Sequence, residues 1–200
     1  MKRIVKRVVC LGLALCSSLF LSVPAFATTA KTKPDKPVLF TITVNSEEEK
    51  ENVIAELEAH NKKAQELWEK AVKESNLNTQ TSAVLPSAAI AASSMAKSNA
   101  ETSARFNGQW VHINAYVTYN KVKVKNYNTF GKVYGFNMYG RDSTTSISDI
   151  VYNYKTLDSE RTLALSSTCL VGVKNYTGDF QYYDYQAYIE FYTNGKGNFY

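Results

Sequence analysis

Cysteine, histidine and proline are scarce in this chain of 200 residues, and each scarcity removes a class of explanation. Of three cysteines, Cys10 and Cys16 lie in an apolar run at the start that reads as a removable export signal, which leaves Cys169 alone. One thiol makes no intramolecular disulfide, although small exported domains commonly rely on several. The fold must then be held by its apolar core. The two histidines, His60 and His112, fall short of the three or four convergent ligands of a metal site, and no Cys/His spacing for one exists. No metal and no other cofactor is expected. Glycine-rich phosphate loops, G-x-S-x-G and H-E-x-x-H are missing as well, so no catalytic set is assigned.

What is present begins with the leader. Met1 to Arg7 holds Lys2, Arg3, Lys6 and Arg7 and no acid. Val8 to Val23 is uncharged, Pro24 breaks the run, and Ala25-Phe26-Ala27 supplies the small residues a signal peptidase accepts. Cleavage is expected after Ala27, with residues 28–200 secreted. At 16 residues the apolar run is short for a bilayer core, so no membrane span is expected once the leader is gone. Leu15 is too large to precede a lipidated Cys16. Loss of the leader leaves 19 Lys and Arg against 18 Asp and Glu, a balance of +1. So neutral a chain argues against nucleic acid as a partner. Its richness in Lys, Asn and Tyr points to a Gram-positive bacterial source. Tyr200 follows Asn198-Phe199 with no apolar tail, which favours release over wall anchoring.

The remainder divides by composition. All 14 tyrosines lie from Tyr116 onward. Residues 28–37 are polar with two prolines and read as disordered. Val38 to Val44 alternates as a short strand. Ser46 and Glu49 then form a capping box, with Glu47, Glu48 and Glu49 complementing the dipole of a helix that runs to about Glu74. Val53, Ile54, Leu57, Ala64, Leu67, Trp68, Ala71 and Val72 give it one apolar stripe. Residues 75–104 are rich in Ala and Ser and read as a linker, with a weak helix from Ser87 to Lys97 as an option. From Arg105 the period becomes two, and strands are expected at 110–119, 121–125, 132–139, 148–154, 162–173 and 180–192. Asn107-Gly108, Asp158-Ser159, Asn175 to Gly178 and Asn194-Gly195 are the turns. The fold class expected is mainly β: an antiparallel sandwich or small barrel over 105–200, preceded by one amphipathic helix.

Parity selects the candidate residues. Trp110 and Tyr116 on one strand, and Tyr182, Tyr188 and Tyr192 on another, point away from the core, where aromatics stack on sugar rings or contact proteins. The alternative is that the amphipathic helix covers this row and makes it a second core. Cys169 with His112 is a conceivable nucleophile pair, but Cys169 shares parity with Leu165 and Val171, a buried position. Asp184 and Glu190 share a face of the last long strand and, at an expected separation of about 7 Å, would be the pair of a hydrolase. Lys121, Lys123 and Lys125 suit protection of a sheet edge. The leading reading is a secreted, non-enzymatic bacterial protein that binds or assembles through exposed aromatics, its partner a cell-wall glycan or another extracellular protein. The alternatives are an antagonist or toxin with a removable N-terminal segment, and a hydrolase without a recognisable motif.

Overall fold

The computed structural model describes residues 30–81, 91–140 and 150–200; the expected leader, residues 1–27, lies outside them. Eight strands and one helix follow in the order β1 (Val38–Thr43), α1 (Glu47–Thr81), β2 (Ala91–Phe106), β3 (Gln109–Val124), β4 (Tyr127–Gly140), β5 (Tyr152–Leu157), β6 (Thr162–Lys174), β7 (Phe180–Tyr192) and β8 (Lys196–Phe199). The strands form one sheet in the order β1-β6-β7-β8-β2-β3-β4, with β5 also on β6, and the sheet curls into a nearly closed barrel. It is mixed, because β1 runs parallel to β6 and β8 parallel to β2.

All four expected turn sites join strands. Asn107 and Gly108, at φ of 44° and 77°, close the β2–β3 hairpin. Period two is obeyed: Val111, Ile113, Ala115 and Val117 on β3 and Tyr183, Tyr185, Ala187, Ile189 and Phe191 on β7 are buried in the interior. Gly197 lets β8 squeeze between β7 and β2. A Cβ there would lie 2.7 Å from Phe191 Cδ1 and 2.9 Å from the Glu190 carbonyl.

The linker reading of 75–104 is corrected. Its described parts are the last turns of α1 and nearly all of β2. β2 alternates Ala96, Ser98, Ala100 and Ala104 inward with Lys97, Asn99, Glu101, Ser103 and Arg105 outward. The inward residues are small because large rings fill the barrel: Ser98 Oγ donates to the Tyr192 carbonyl at 2.8 Å and lies 3.4 Å from the Tyr119 hydroxyl. The disordered reading of 28–37 is corrected over the residues described. Lys31 and Tyr182 exchange two backbone hydrogen bonds of 2.9 Å, and the Leu170 amide donates to the Pro37 carbonyl.

α1 is a stave in the barrel wall rather than an appendage. Strand β8 pairs only Ile189–Phe191 of β7, so the rest of that β7 edge needs other partners. Asn61 supplies a mimic of a strand: its Nδ2 donates to the Asp184 carbonyl at 2.7 Å, and its Oδ1 accepts from the Gln186 amide at 2.8 Å. His60 Nε2 donates to the Gln186 carbonyl at 3.0 Å, and the imidazole stacks on Tyr185 at 4.6 Å between ring centres. On its other flank the helix reaches the β2–β3 turn, where the Asn107 amide donates to Glu56 at 2.8 Å. Val53 and Leu57 enter the main core, each contributing about 1.5–3 kcal/mol by burial. At the helix start the Glu49 amide donates to Ser46 Oγ, but the Glu49 carboxylate takes the Asn45 amide, so the capping box closes one residue early.

Desolvation beneath the helix holds the His60 pKa below 6.5, aided by the nearby Lys63 charge and opposed by the bond to Gln186. The unfolded chain therefore binds the proton more readily than the folded one. His60 contributes its full stability above about pH 6.5 and loses it progressively as the pH falls. Urea midpoints at pH 7 and pH 5 should differ less for His60→Gln than for the wild type; equal pH dependence would exclude His60 as a source of the slope.

Candidate binding face

The sheet has two kinds of outer surface. Over β6 and β7, α1 covers it: Ala164 and Tyr188 pack with Ala64, Ala71, Leu67, Trp68 and Leu157 in a second core. Over β2, β3 and β4 the outward residues form cross-strand ranks of half-buried and exposed side chains. Arg105 opposes Trp110, Ser103 opposes His112, Glu101 opposes Asn114 and then Tyr139, and Asn99 opposes Tyr116 and then Asn137. Lys196 of β8 sits beside Asn99.

The aromatics here carry cations. Lys97 Nζ lies 3.6 Å from the centre of the Tyr116 ring, and the Arg105 guanidinium lies 5.8 Å from that of Trp110. Asn137 Nδ2 donates to the Tyr116 hydroxyl at 2.9 Å, which fixes that ring from the far side. Trp110 is 62% exposed, the least covered aromatic of the expected set. Between the two rings is a polar recess lined by Glu101, Thr102, Ser103, His112 and Asn114. Ser103 Oγ and His112 Nδ1 are 2.7 Å apart in it. Among the described residues, the side chains of Glu101 and Asn114 have no hydrogen-bonding partner and are available to a ligand.

The five aromatics expected to form the outward set separate. Trp110 and Tyr116 share the β3 face, whereas Tyr182, Tyr188 and Tyr192 lie on β7, with β8 and β2 between. Tyr188 is corrected: only 2% of it is exposed, and its hydroxyl donates to Glu190 at 2.8 Å. Tyr192 and Tyr200 also donate to that carboxylate, at 3.1 and 3.2 Å. Desolvation first, then contact with Glu190, holds the Tyr188 hydroxyl far above the usual phenol range. Tyr182 is half-buried beside Phe180, with ring centres 6.3 Å apart.

The carboxylate pair is corrected as well. Asp184 and Glu190 are six positions apart on one strand, about 20 Å rather than 7 Å. Asp184 pairs with Lys31 and Lys36, and Glu190 holds its tyrosines. Cys169 is fully buried, its Sγ 3.7 Å from the Tyr185 carbonyl, and burial pushes its pKa well up, so no reactive thiolate forms. Lys121, Lys123 and Lys125 guard no edge, because β3 lies between β2 and β4 and Lys125 occupies the turn.

The Ser103–His112 contact supplies a hydroxyl beside a base, but the flat face around it supplies little else. Around it β2 and β3 pair with each other, while β8 reaches β2 only at Asn99 and Ala100 and β4 reaches β3 only from Ile113 onward. Among the described residues, no group of three His, Cys, Asp or Glu side chains could hold a metal ion, and no helix is long and apolar enough to cross a membrane. Comparison with known proteins returned no matching family model, no matching curated protein and no matching solved structure.

The half of this face that sequence reasoning missed is β2. Lys97, Asn99, Glu101, Ser103 and Arg105 are polar at every second position, a signal masked by the small residues between them.

Proposed function

We propose that this is a secreted, non-enzymatic binding protein whose ligand lies on the outer face of β2, β3 and β4. The observation that carries this reading is the pairing of Trp110 and Tyr116 on one strand, uncovered by α1 and flanking a polar recess with free hydrogen-bonding groups. An exposed ring next to unpaired amide and carboxylate groups suits a hydroxyl-rich partner such as a cell-wall glycan. Export rests on the leader pattern of residues 1–27. A removable N-terminal segment is disfavoured, because cutting away residues 28–104 would take β1, α1 and β2 out of the barrel wall.

The test is retention of the secreted protein on purified cell-wall polysaccharide. Trp110→Ala should weaken binding by at least tenfold, and Tyr116→Ala by several-fold, both with unchanged urea midpoints because neither ring belongs to a core. Unaltered retention in both variants would sink the proposal.

A further inference from the structure

Resting on the binding reading above, we propose that the occupant of this face is an acidic polysaccharide. The near-neutral balance of the chain conceals a segregation of charge. Helix α1 carries nine glutamates against five lysines. The four strands β2, β3, β4 and β8 together carry six cations, Lys97, Arg105, Lys121, Lys123, Lys132 and Lys196, against the single acid Glu101. Of these six, Lys97, Arg105 and Lys196 stand on the candidate face itself, whereas Lys121 and Lys123 have the parity of the inward residues Val117 and Tyr119. The three outward cations against Glu101 leave that face net positive, and such a field draws an anionic ligand to it.

The placement of the cations says more than their number. Lys97 and Arg105 each lie over an aromatic ring, Tyr116 and Trp110 respectively, which holds two charges in defined positions. The rings are six residues apart on β3, about 20 Å. Lys196 stands next to the Tyr116 rank through Asn99. Between these posts the lining is hydrogen-bonding: Asn114, Ser103 and His112, with the one carboxylate of Glu101 among them. Widely spaced positive posts, separated by polar ground that holds one carboxylate, match a chain of sugar rings bearing intermittent rather than continuous acid groups. Nucleic acid fits worse. A duplex presents a charge about every 1.7 Å, far denser than three cations spread along the face. Trp110, the most exposed ring of the set, provides stacking area for a sugar, and Glu101 favours hydroxyls over a continuous row of anions.

The experiment measures affinity of the secreted protein for polygalacturonate, for neutral dextran and for single-stranded DNA. Polygalacturonate should bind at least tenfold more tightly than dextran, and its affinity should fall several-fold as salt rises from about 50 to about 200 mM. The exposed triple variant Lys97→Gln, Arg105→Gln, Lys196→Gln should lose at least tenfold for polygalacturonate, and Glu101→Gln should gain a few-fold, a gain that general damage to the fold would not produce. Equal affinity for polygalacturonate and dextran, abolished by Trp110→Ala, would overturn the acidic ligand and leave the binding reading standing. Tighter binding to DNA than to either polysaccharide would overturn it in favour of a polyphosphate. No binding to any of the three, together with no retention on cell-wall polysaccharide, would overturn both.

Discussion

Replacing Tyr188 by alanine is expected to lower the unfolding free energy by about 3–5 kcal/mol, among the largest losses any single truncation here should produce. The ring is fully enclosed between β7 and the helix, packed with Ala64, Ala71, Leu67, Trp68 and Ala164, and alanine would leave a cavity that the sheet is too rigid to close. Ala64, Ala71 and Ala164 among its neighbours have no side chain long enough to fill the space. Tyr188→Phe should cost much less, about 0.5–1.5 kcal/mol, because the ring stays and Glu190 keeps Tyr192 and Tyr200 as donors. Urea unfolding followed by fluorescence measures both, with Trp68 as a reporter beside the site. If Tyr188→Ala instead left stability unchanged and abolished polysaccharide retention, the buried placement of this ring would be wrong.

Asn61→Leu is expected to be nearly as costly, about 2–5 kcal/mol, although it exchanges a polar group for an apolar one of similar size in a largely buried position. Asn61 serves both the Asp184 carbonyl and the Gln186 amide, and leucine would strand the pair away from water. The loss should also have a local signature. Hydrogen exchange at the Gln186 amide should accelerate more than at amides of β7 that face β6, because only the helix-side edge loses its partner. Faster exchange spread evenly over β7 would show that Asn61 acts through general helix packing instead.

These two residues also mark where the sequence was legible and where it was not. The parity of β7 placed Tyr188 on the outside of the barrel correctly, since alternation fixes which face a residue takes. It carries no information about what covers that face, and the cover is a helix more than a hundred residues away in the chain. Asn61 was opaque for a related reason. A polar residue on a helix is ordinarily solvated, and its role as a substitute strand exists only once the β7 edge is beside it. Strands rich in Val, Ile and Tyr announced themselves, because β-branched and aromatic side chains both favour the pleat and fill the barrel. Strand β2 did not, because opposite rings as large as Tyr119 the barrel has room only for alanine and serine, which look like linker composition. Strand β8 is four residues with a glycine at its centre, too short for a periodic signal. The candidate face was therefore half visible: Trp110 and Tyr116 by parity, but not the cations of β2 that stand over them.

The seam sealed by α1 has a further consequence for the order in which the chain becomes protected. Asn61 and Gln186 are 125 residues apart, and Lys31 and Asp184 are 153. The groups that blunt the β7 edge are made first on the ribosome, yet they have nothing to grip until nearly the whole chain exists. Contacts so distant close slowly, since the loop entropy must be met before they reward it. Through that interval β7, aromatic at seven of its thirteen positions, shows an unpaired ladder. This is the window in which two copies could zip together edge to edge, and early docking of the helix is what shortens it.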